Sequence, residues 1–308
     1  MKYSIIMLAE AWYKDTPAYL QEIYDYFSKR NDSFEIIIVA NGSGKDVRNA
    51  ITQLNIPDEK LKAFEFNTRN PQAVCLKAAL KESKGEIIMV TESYKQIAMD
   101  SFDALLSSMG QSVDVVCPWR QSRIDNSYHQ FQSKLFNSLV RFASKSRLHD
   151  LSCTVKLFRR EALENTVIYG RMYRFFPILA ERRGYKNIEI PCQHFQQRGQ
   201  SGIRVLPSYF NAVFDLIMLY FNTWFLRKPL RFFSVIGLTS LLIGVVCLCI
   251  VFFQRVFMEV QVGGRPLLLL SILMAVAGAQ IACVGLLGEI IAFTQGRTTK
   301  EYSVEIEI

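Results

Sequence analysis

The segment from Gly85 to Asp100, GEIIMVTESYKQIAMD, places polar side chains directly after a short apolar run. The run IIMV predicts a buried strand, and Glu92, Tyr94 and Gln96 follow it. Open α/β sheets bind their ligands in loops at the carboxyl ends of strands, where these residues would lie. Carboxylate and amide oxygens are hard donors that suit Mg²⁺ or Mn²⁺, so Glu92 and Gln96 are the candidate metal ligands.

Two more polar side chains follow apolar runs of the same kind. Glu10 comes shortly after YSIIML, and Asn41 comes directly after FEIIIVA. If these runs are parallel strands, their carboxyl ends meet at one edge of a sheet. We therefore expect Glu10, Asn41 and Glu92 to lie around a common site.

Residues 1–203 supply the elements that would position these side chains. Helical patterns at residues 16–28 and 71–82 alternate with the strand-like runs YSIIML, FEIIIVA, LKAFEF, EIIMV and VDVVCPW. This alternation predicts an α/β domain with a doubly wound, mostly parallel sheet.

The C-terminal third contains two runs that are long enough to cross a bilayer. Residues 232–253 and 267–287 carry no charged residue, and about 20 apolar residues span the hydrocarbon core. A buried helix of a soluble protein is the alternative for either run alone. Two such runs together predict an integral membrane protein.

Basic residues flank the outer ends of both predicted spans. The positive-inside rule therefore predicts that the N-terminal domain and both termini are cytoplasmic, in a protein of the cytoplasmic membrane. The flanking residues are Arg227, Lys228 and Arg231 before the first span and Arg297 and Lys300 after the second.

The segment 204–231 precedes the first span and is amphipathic. Its part 208–226 is rich in aromatic residues but is interrupted by two asparagines and an aspartate. We predict a helix in the membrane interface; the alternative is a third crossing, which would place the N-terminal domain and the C-terminal tail on opposite sides. The tail, 288–308, ends in EYSVEIEI, whose alternation predicts an edge strand.

The composition narrows the class of partner. The net charge is +8, but the basic residues are not gathered into one run with interleaved aromatic residues, so we expect no nucleic acid. Membrane lipids or phosphorylated substrates explain the charge. None of the seven cysteines forms a CxxC pair, which favours reduced thiols over disulfides or a zinc site.

Several motifs occur in an order that is typical of one enzyme family. EIIIVANGSGKD resembles a strand ending in Asp-Asp-Gly-Ser, and DLSCTVKLFRREAL resembles an Asp-x-x-x-Gly-Phe-Arg-Leu segment that begins at Asp150. HFQQRGQSG resembles a His-x-x-Arg-x-x-Gly-x-Ser loop, with His194, Arg198 and Ser201 at or near its positions. With the two spans, the whole chain resembles the family 2 glycosyltransferases of GT-A fold, specifically the polyisoprenyl-phosphate glycosyltransferases similar to dolichyl-phosphate mannose synthase.

The resemblance implies a membrane-anchored enzyme that transfers a sugar from a nucleotide sugar to undecaprenyl or dolichyl phosphate, for a cell-envelope glycan. It also implies a homo-oligomer, a tetramer. Asp150 and Arg198 are the implied catalytic residues. The implied nucleotide-sugar ligands are Glu10, Asn41, Glu92, Tyr94 and Gln96, and the implied lipid-phosphate ligands are Arg120, Arg123, His194, Ser201 and Arg204.

The chain departs from the family where the family holds its metal. The paired acids after the second strand are Ala40 and Asn41 here, and the Asp-x-Asp pair has become Glu92-Ser-Tyr94. Tyr94 is a poor replacement for a carboxylate, so we predict that Mg²⁺ or Mn²⁺ is weakly bound or dispensable. The alternative is a catalytically impaired relative that binds a lipid or a partner protein. A transporter is disfavoured because the spans contain few polar residues.

Overall fold

The computed structural model describes residues 1–42, 47, 51, 54–110, 112–121, 140–141, 148–166, 168, 170, 172–195, 229–258 and 266–296. The chain divides into two compact units, one containing a β-sheet and the other containing two long helices. The interfacial helix and edge strand that we predicted for 208–226 and 301–308 lie outside the described residues.

The first unit contains a seven-stranded sheet. Strand β6 runs antiparallel to both of its neighbours, and the other six strands share one direction. The strand order is β3-β2-β1-β4-β6-β5-β7. The strands are β1 (Tyr3–Ala9), β2 (Phe34–Asn41), β3 (Leu61–Phe66), β4 (Ile87–Glu92), β5 (Val115–Gln121), β6 (Lys156–Arg159) and β7 (Asn187–Gln193).

Helices cover both faces of the sheet. The strand β1 shows why: Ile6 and Leu8 belong to the hydrophobic cluster on one face, while Ile5 and Met7 belong to the cluster on the other. A strand that is apolar on both sides needs a helical layer on each side to exclude water. The helices are α1 (Thr16–Lys29), α2 (Gln72–Glu82), α3 (Ser101–Ser107), α4 (Arg160–Asn165) and α5 (Phe176–Glu181), and a 3₁₀ turn (Met172–Phe175) precedes α5.

The second unit contains two antiparallel helices, α6 (Pro229–Met258) and α7 (Pro266–Gly296). Both are long and apolar enough to span a membrane, over Leu230–Phe257 and Pro266–Ile291. Glycine brings their backbones together: a Cβ on Gly244 would lie 2.5 Å from the Ala275 nitrogen. Small residues allow close helix packing where no difference in hydrophobicity drives association.

The predicted α/β class and mostly parallel sheet are confirmed, and each of the five strand-like runs overlaps a strand of the sheet. Strands β6 and β7 were not predicted. Strand β6 has only four residues, and β7 contains Pro191 and Glu189, which weaken its apolar pattern.

Candidate active site

One edge of the sheet collects the polar residues that the sequence indicates. The carboxyl ends of the six parallel strands and the amino end of β6 meet there. Glu10 follows β1, Asn41 and Glu92 end β2 and β4, and Arg120 lies near the end of β5. The expectation that the strand ends meet at one edge is therefore confirmed.

A first group of side chains, the Glu92 cluster, consists of Glu92, Tyr94, Gln96 and Thr154. The Thr154 hydroxyl donates to Glu92 Oε1 at 2.7 Å, and the Tyr94 hydroxyl also bonds to the Glu92 carboxylate. Gln96 Nε2 donates to the Tyr94 hydroxyl at 2.9 Å, and Gln96 Oε1 accepts from the Thr154 backbone N–H at 2.8 Å. The four side chains are therefore joined in one hydrogen-bond network.

Burial controls the protonation of the Glu92 cluster. Burial raises the pKa of Glu92, and the hydrogen bonds from Thr154 and Tyr94 oppose this rise. Arg174, on the 3₁₀ turn, also lowers the Glu92 pKa by its charge, whereas Glu10 raises it. The pKa of Tyr94 is well above its usual value because the ring is buried beside Glu92. Tyr94 is therefore a neutral hydrogen-bond donor at neutral pH.

The turn that carries this cluster is fixed to α1. The Ser93 hydroxyl donates to the Ala11 carbonyl at 2.6 Å, and the Thr16 hydroxyl donates to the Ser93 carbonyl at 2.7 Å. Lys95 Nζ donates to Glu22 Oε2 at 2.6 Å. These contacts hold the residues after β4 against α1 and the segment that precedes it.

A second group, the Asp150 cluster, consists of Arg120, His149, Asp150 and Glu189. Arg120 binds the Asp150 carboxylate with two nitrogens of its guanidinium, from Nε at 2.7 Å and Nη2 at 3.1 Å. Both side chains are buried, with exposed fractions of 7% and 4%. A bidentate pair of this kind fixes the orientation of the carboxylate as well as its charge.

Glu189 lies beside the same loop. Its Oε1 atom accepts the backbone N–H groups of His149 and Asp150, at 2.7 and 2.8 Å. Its Oε2 atom lies 2.9 Å from His149 Nδ1. The His149 ring stacks on Trp119, with ring centroids 4.5 Å apart and an interplanar angle of 18°. Strands β5 and β7 thus hold residues 149 and 150 together.

The remaining predicted nucleotide-sugar ligands make contacts at the other end of the edge. Glu10 pairs with Arg69 at 2.9 Å, and both side chains are partly or largely exposed. The Asn41 amide bonds twice to the Asn70 backbone, accepting from its N–H and donating to its carbonyl, both at 2.7 Å. The Asn41 side chain therefore holds the loop that leads from β3 into α2.

Two of the predicted lipid-phosphate ligands, Arg120 and His194, lie among the described residues. Arg120 is buried against Asp150, as described above. His194 is 7% exposed. Its backbone forms an isolated antiparallel β-bridge with Ile97, so it lies beside the residues that follow β4. The other predictions, Arg123, Arg198, Ser201 and Arg204, lie outside the described residues.

The described donors do not fit a divalent cation well. Among the residues that the structure describes, no three histidine, cysteine or acidic side chains gather closely enough to hold a metal ion. The single carboxylate after β4, Glu92, already accepts two hydroxyl groups, and the Gln96 oxygen accepts a backbone N–H and the Cys153 thiol. Mg²⁺ and Mn²⁺ sites rely on accessible carboxylate oxygens, so this donor set is a weak one.

Several residues of the two clusters were not predicted from the sequence. Thr154 lies four positions after Asp150 in the segment DLSCTVKLFRREAL, but no polar pattern marks it. Glu189 lies between Ile188 and Ile190 in β7, and a lone acid inside an apolar strand is the signal that could have identified it. Arg174 reaches Glu92 only through the tertiary fold.

Solved structures share this fold. Glucosyl-3-phosphoglycerate synthase from Mycobacterium tuberculosis, in complex with Mn²⁺, UDP and phosphoglyceric acid, matches 72% of this chain and 78% of its own, with a TM-score of 0.53 and 13% identity. A mannosyltransferase from Pyrobaculum calidifontis, in complex with GDP-Man and Mn²⁺, matches 72% and 63%, with a TM-score of 0.50 and 17% identity. The sheet unit therefore has the GT-A fold.

Curated relatives match along almost the full length. An undecaprenyl-phosphate 4-deoxy-4-formamido-L-arabinose transferase from Sodalis glossinidius (strain morsitans) is 24% identical over 99% of this chain and 93% of its own. The enzyme of the same name from Yersinia pestis (strain Pestoides F) is 25% identical over the same shares. The family model described as glycosyl transferase family 2 matches residues 11–167, about half of the chain. The chain therefore belongs to glycosyl transferase family 2.

Proposed function

We propose that the protein transfers a sugar from a nucleotide sugar to a polyprenyl phosphate at the cytoplasmic face of a membrane. The curated relatives bear names with this type of acceptor, and the chain has two helices that can anchor it near a lipid. The observation that carries the proposal is the buried Asp150–Arg120 pair at the carboxyl edge of the GT-A sheet. It keeps an acid and a phosphate-binding side chain together where such sheets bind substrates.

The acceptor side of the reaction uses the charged residues of this edge. A lipid phosphate is already ionised, so it needs orientation toward the anomeric carbon more than it needs a strong base. Its oxygen forms the new bond to the sugar while the bond from the sugar to the nucleoside diphosphate breaks. Asp150 and Arg198 act at the reacting atoms. The lipid phosphate is held by Arg120, Arg123, His194, Ser201 and Arg204, because guanidinium groups match phosphate geometry.

The donor side uses Glu10, Asn41, Glu92, Tyr94 and Gln96. Tyr94 lines this side as a neutral group, because its hydroxyl bonds to the Glu92 carboxylate and accepts from Gln96 Nε2. Mg²⁺ or Mn²⁺, if held at all, has Glu92 and Gln96 as its protein ligands and depends mainly on the diphosphate and water. Nucleotide binding is therefore largely independent of metal.

The membrane arrangement follows from the charges around α6 and α7. Basic residues lie outside both spans, and by the positive-inside rule they support a catalytic domain and both termini in the cytoplasm. A homo-oligomer, a tetramer, forms through the spans and the terminal strand. Cysteine labelling of intact cells should modify a cysteine introduced at Gly263 and should not modify one introduced at Ser303.

The proposed activity is tested by incubating the purified protein with undecaprenyl phosphate and a panel of nucleotide sugars. We expect a new glycolipid with at least one sugar, and its formation should be much slower in Asp150→Asn. Glu86→Gln is the matched control, because Glu86 is exposed at the opposite end of β4. If no donor gives a glycolipid while nucleotides or lipid still bind, the protein is instead a non-catalytic member of the family.

A further inference from the structure

The loop that carries Asp150 has no regular structure of its own. Residues 148–155 contain neither helix nor strand, and they lead into β6. Strand β6 pairs with β5 only at Val115 and Val116, so the later part of β5 has an edge that the loop can contact. The Arg120 backbone N–H lies 3.4 Å from Asp150 Oδ2 along this edge. Side chains must therefore hold the loop.

Glu189 contacts this loop through both of its carboxylate oxygens. One of its oxygens accepts two consecutive backbone N–H groups, those of His149 and Asp150, and the other lies within hydrogen-bond distance of the His149 ring. The Glu189 side chain is only 11% exposed. Hydrogen bonds to a charged acceptor are about twice as strong as neutral ones, so a carboxylate at this position restrains the backbone firmly.

The same restraint determines where the Asp150 carboxylate points. With the Asp150 backbone held by Glu189, Asp150 Oδ1 accepts from Arg120 Nη2 and from the Ser152 N–H, both at 3.1 Å. Asp150 Oδ2 accepts from Arg120 Nε. The His149 ring, packed on Trp119, closes the other side of the loop. Two acids thus act in series: Glu189 orients the backbone, and the backbone orients Asp150.

We propose that Glu189 is a positioning residue for Asp150 in the transfer reaction. The inference rests on the proposed function, because it assumes that Asp150 acts at the reacting atoms. Glu189 contacts the Asp150 loop through backbone groups, so its effect on the reaction passes through the Asp150 carboxylate. Removal of the Glu189 carboxylate should therefore lower kcat and leave the KM for the nucleotide sugar nearly unchanged.

The kinetic test uses Glu189→Gln, Glu189→Ala and a double variant. Glutamine keeps one acceptor oxygen but loses the charge, so we expect a fall in kcat of about tenfold, and alanine should cause about a hundredfold fall. Combined with Asp150→Asn, Glu189→Ala should lower kcat no further, because residues that act as a unit are not additive. An additive loss, or a rise in KM with unchanged kcat, would overturn the proposal.

A second measurement does not depend on catalysis. Hydrogen exchange of a peptide that includes residues 148–152 should be about tenfold or more faster in Glu189→Ala than in the native protein, because two amides lose their acceptor. Glu189→Gln should exchange at an intermediate rate, and the control Glu86→Gln should match the native protein. Unchanged exchange in Glu189→Ala would overturn the inference even if glycolipid forms. Faster exchange without any glycolipid would instead reject the proposed function.

Discussion

Each of the two polar clusters at the carboxyl edge of the sheet contains a buried carboxylate, but the groups that donate hydrogen bonds to it differ. Glu92 is surrounded by neutral donors, the hydroxyl groups of Thr154 and Tyr94. Asp150 is bound by a guanidinium, that of Arg120. Burial raises the pKa of Glu92 despite these neutral donors, whereas Asp150 forms a buried ion pair with Arg120.

The difference separates the two sides of the proposed reaction. In the proposed function the Glu92 cluster, with its neutral hydrogen bonds, belongs to the donor side. The Asp150 cluster, with its paired charges, belongs to the acceptor side. The two clusters share no side chain.

The largest expected effect comes from breaking the charged pair. Arg120→Met should lower the free energy of unfolding by about 3–5 kcal/mol, because it leaves the buried Asp150 carboxylate without its partner. Denaturation of the detergent-solubilised protein, monitored by a signal from the sheet domain, measures the change. The double variant Arg120→Met, Asp150→Leu should recover much of the loss, since no unpaired charge remains. Equal losses in the single and double variants would show that the pair does not act as a unit.

The next effect comes from making the Glu92 cluster resemble a metal site. Tyr94→Asp places a second carboxylate two positions after Glu92, and carboxylate number tunes affinity for hard cations. We expect Mn²⁺ to bind at least about tenfold more tightly in the presence of UDP or GDP. Calorimetric titration measures the affinity, and Tyr94→Asn is the control without charge. Equal Mn²⁺ affinity in the two variants would mean that the turn does not direct residue 94 toward the diphosphate.

The sequence could predict the sheet edge but not the partners within it. The long apolar runs of β1, β2 and β4 dictate their strands, and the polar residue that follows each run locates the site. The Arg120–Asp150 and Glu189–Asp150 contacts join residues separated by 30 and 39 positions. Such pairs depend on the reversed strand β6, which places the Asp150 loop beside β5. Strand β6 has only four residues and no clear alternation of polar and apolar residues, so its reversed direction could not be predicted.

Two of the predicted ligands also make specific contacts within the protein. The Asn41 amide bonds to the Asn70 backbone. Arg120 was predicted for the lipid phosphate from its fork-shaped donor set, and the same geometry binds it to Asp150. In both cases the residue type indicated a polar contact, but only the fold decides which partner lies within reach.

The smallest expected effect is on the pH dependence of stability. The folded pKa of Glu92 is raised, so its stabilising contribution is complete below about 4.5, its unfolded value, and declines as pH rises through the folded pKa. Glu92→Gln removes this decline. The denaturation midpoint of Glu92→Gln should therefore rise relative to that of the native protein as pH rises above 4.5. The exposed control Glu86→Gln should follow the native curve; an identical pH dependence for Glu92→Gln would argue that Glu92 is not desolvated.

The central claim is that the donor side binds nucleotide without depending on a divalent cation. Calorimetric titration of UDP and GDP into the native protein, with Mn²⁺, with Mg²⁺ and with a chelator, tests it directly. We expect at least one nucleotide to bind with dissociation constants that agree within about threefold across the three conditions, because the described part of the Glu92 cluster offers a cation a single carboxylate. A strong requirement for metal that Glu92→Gln abolishes would contradict the claim.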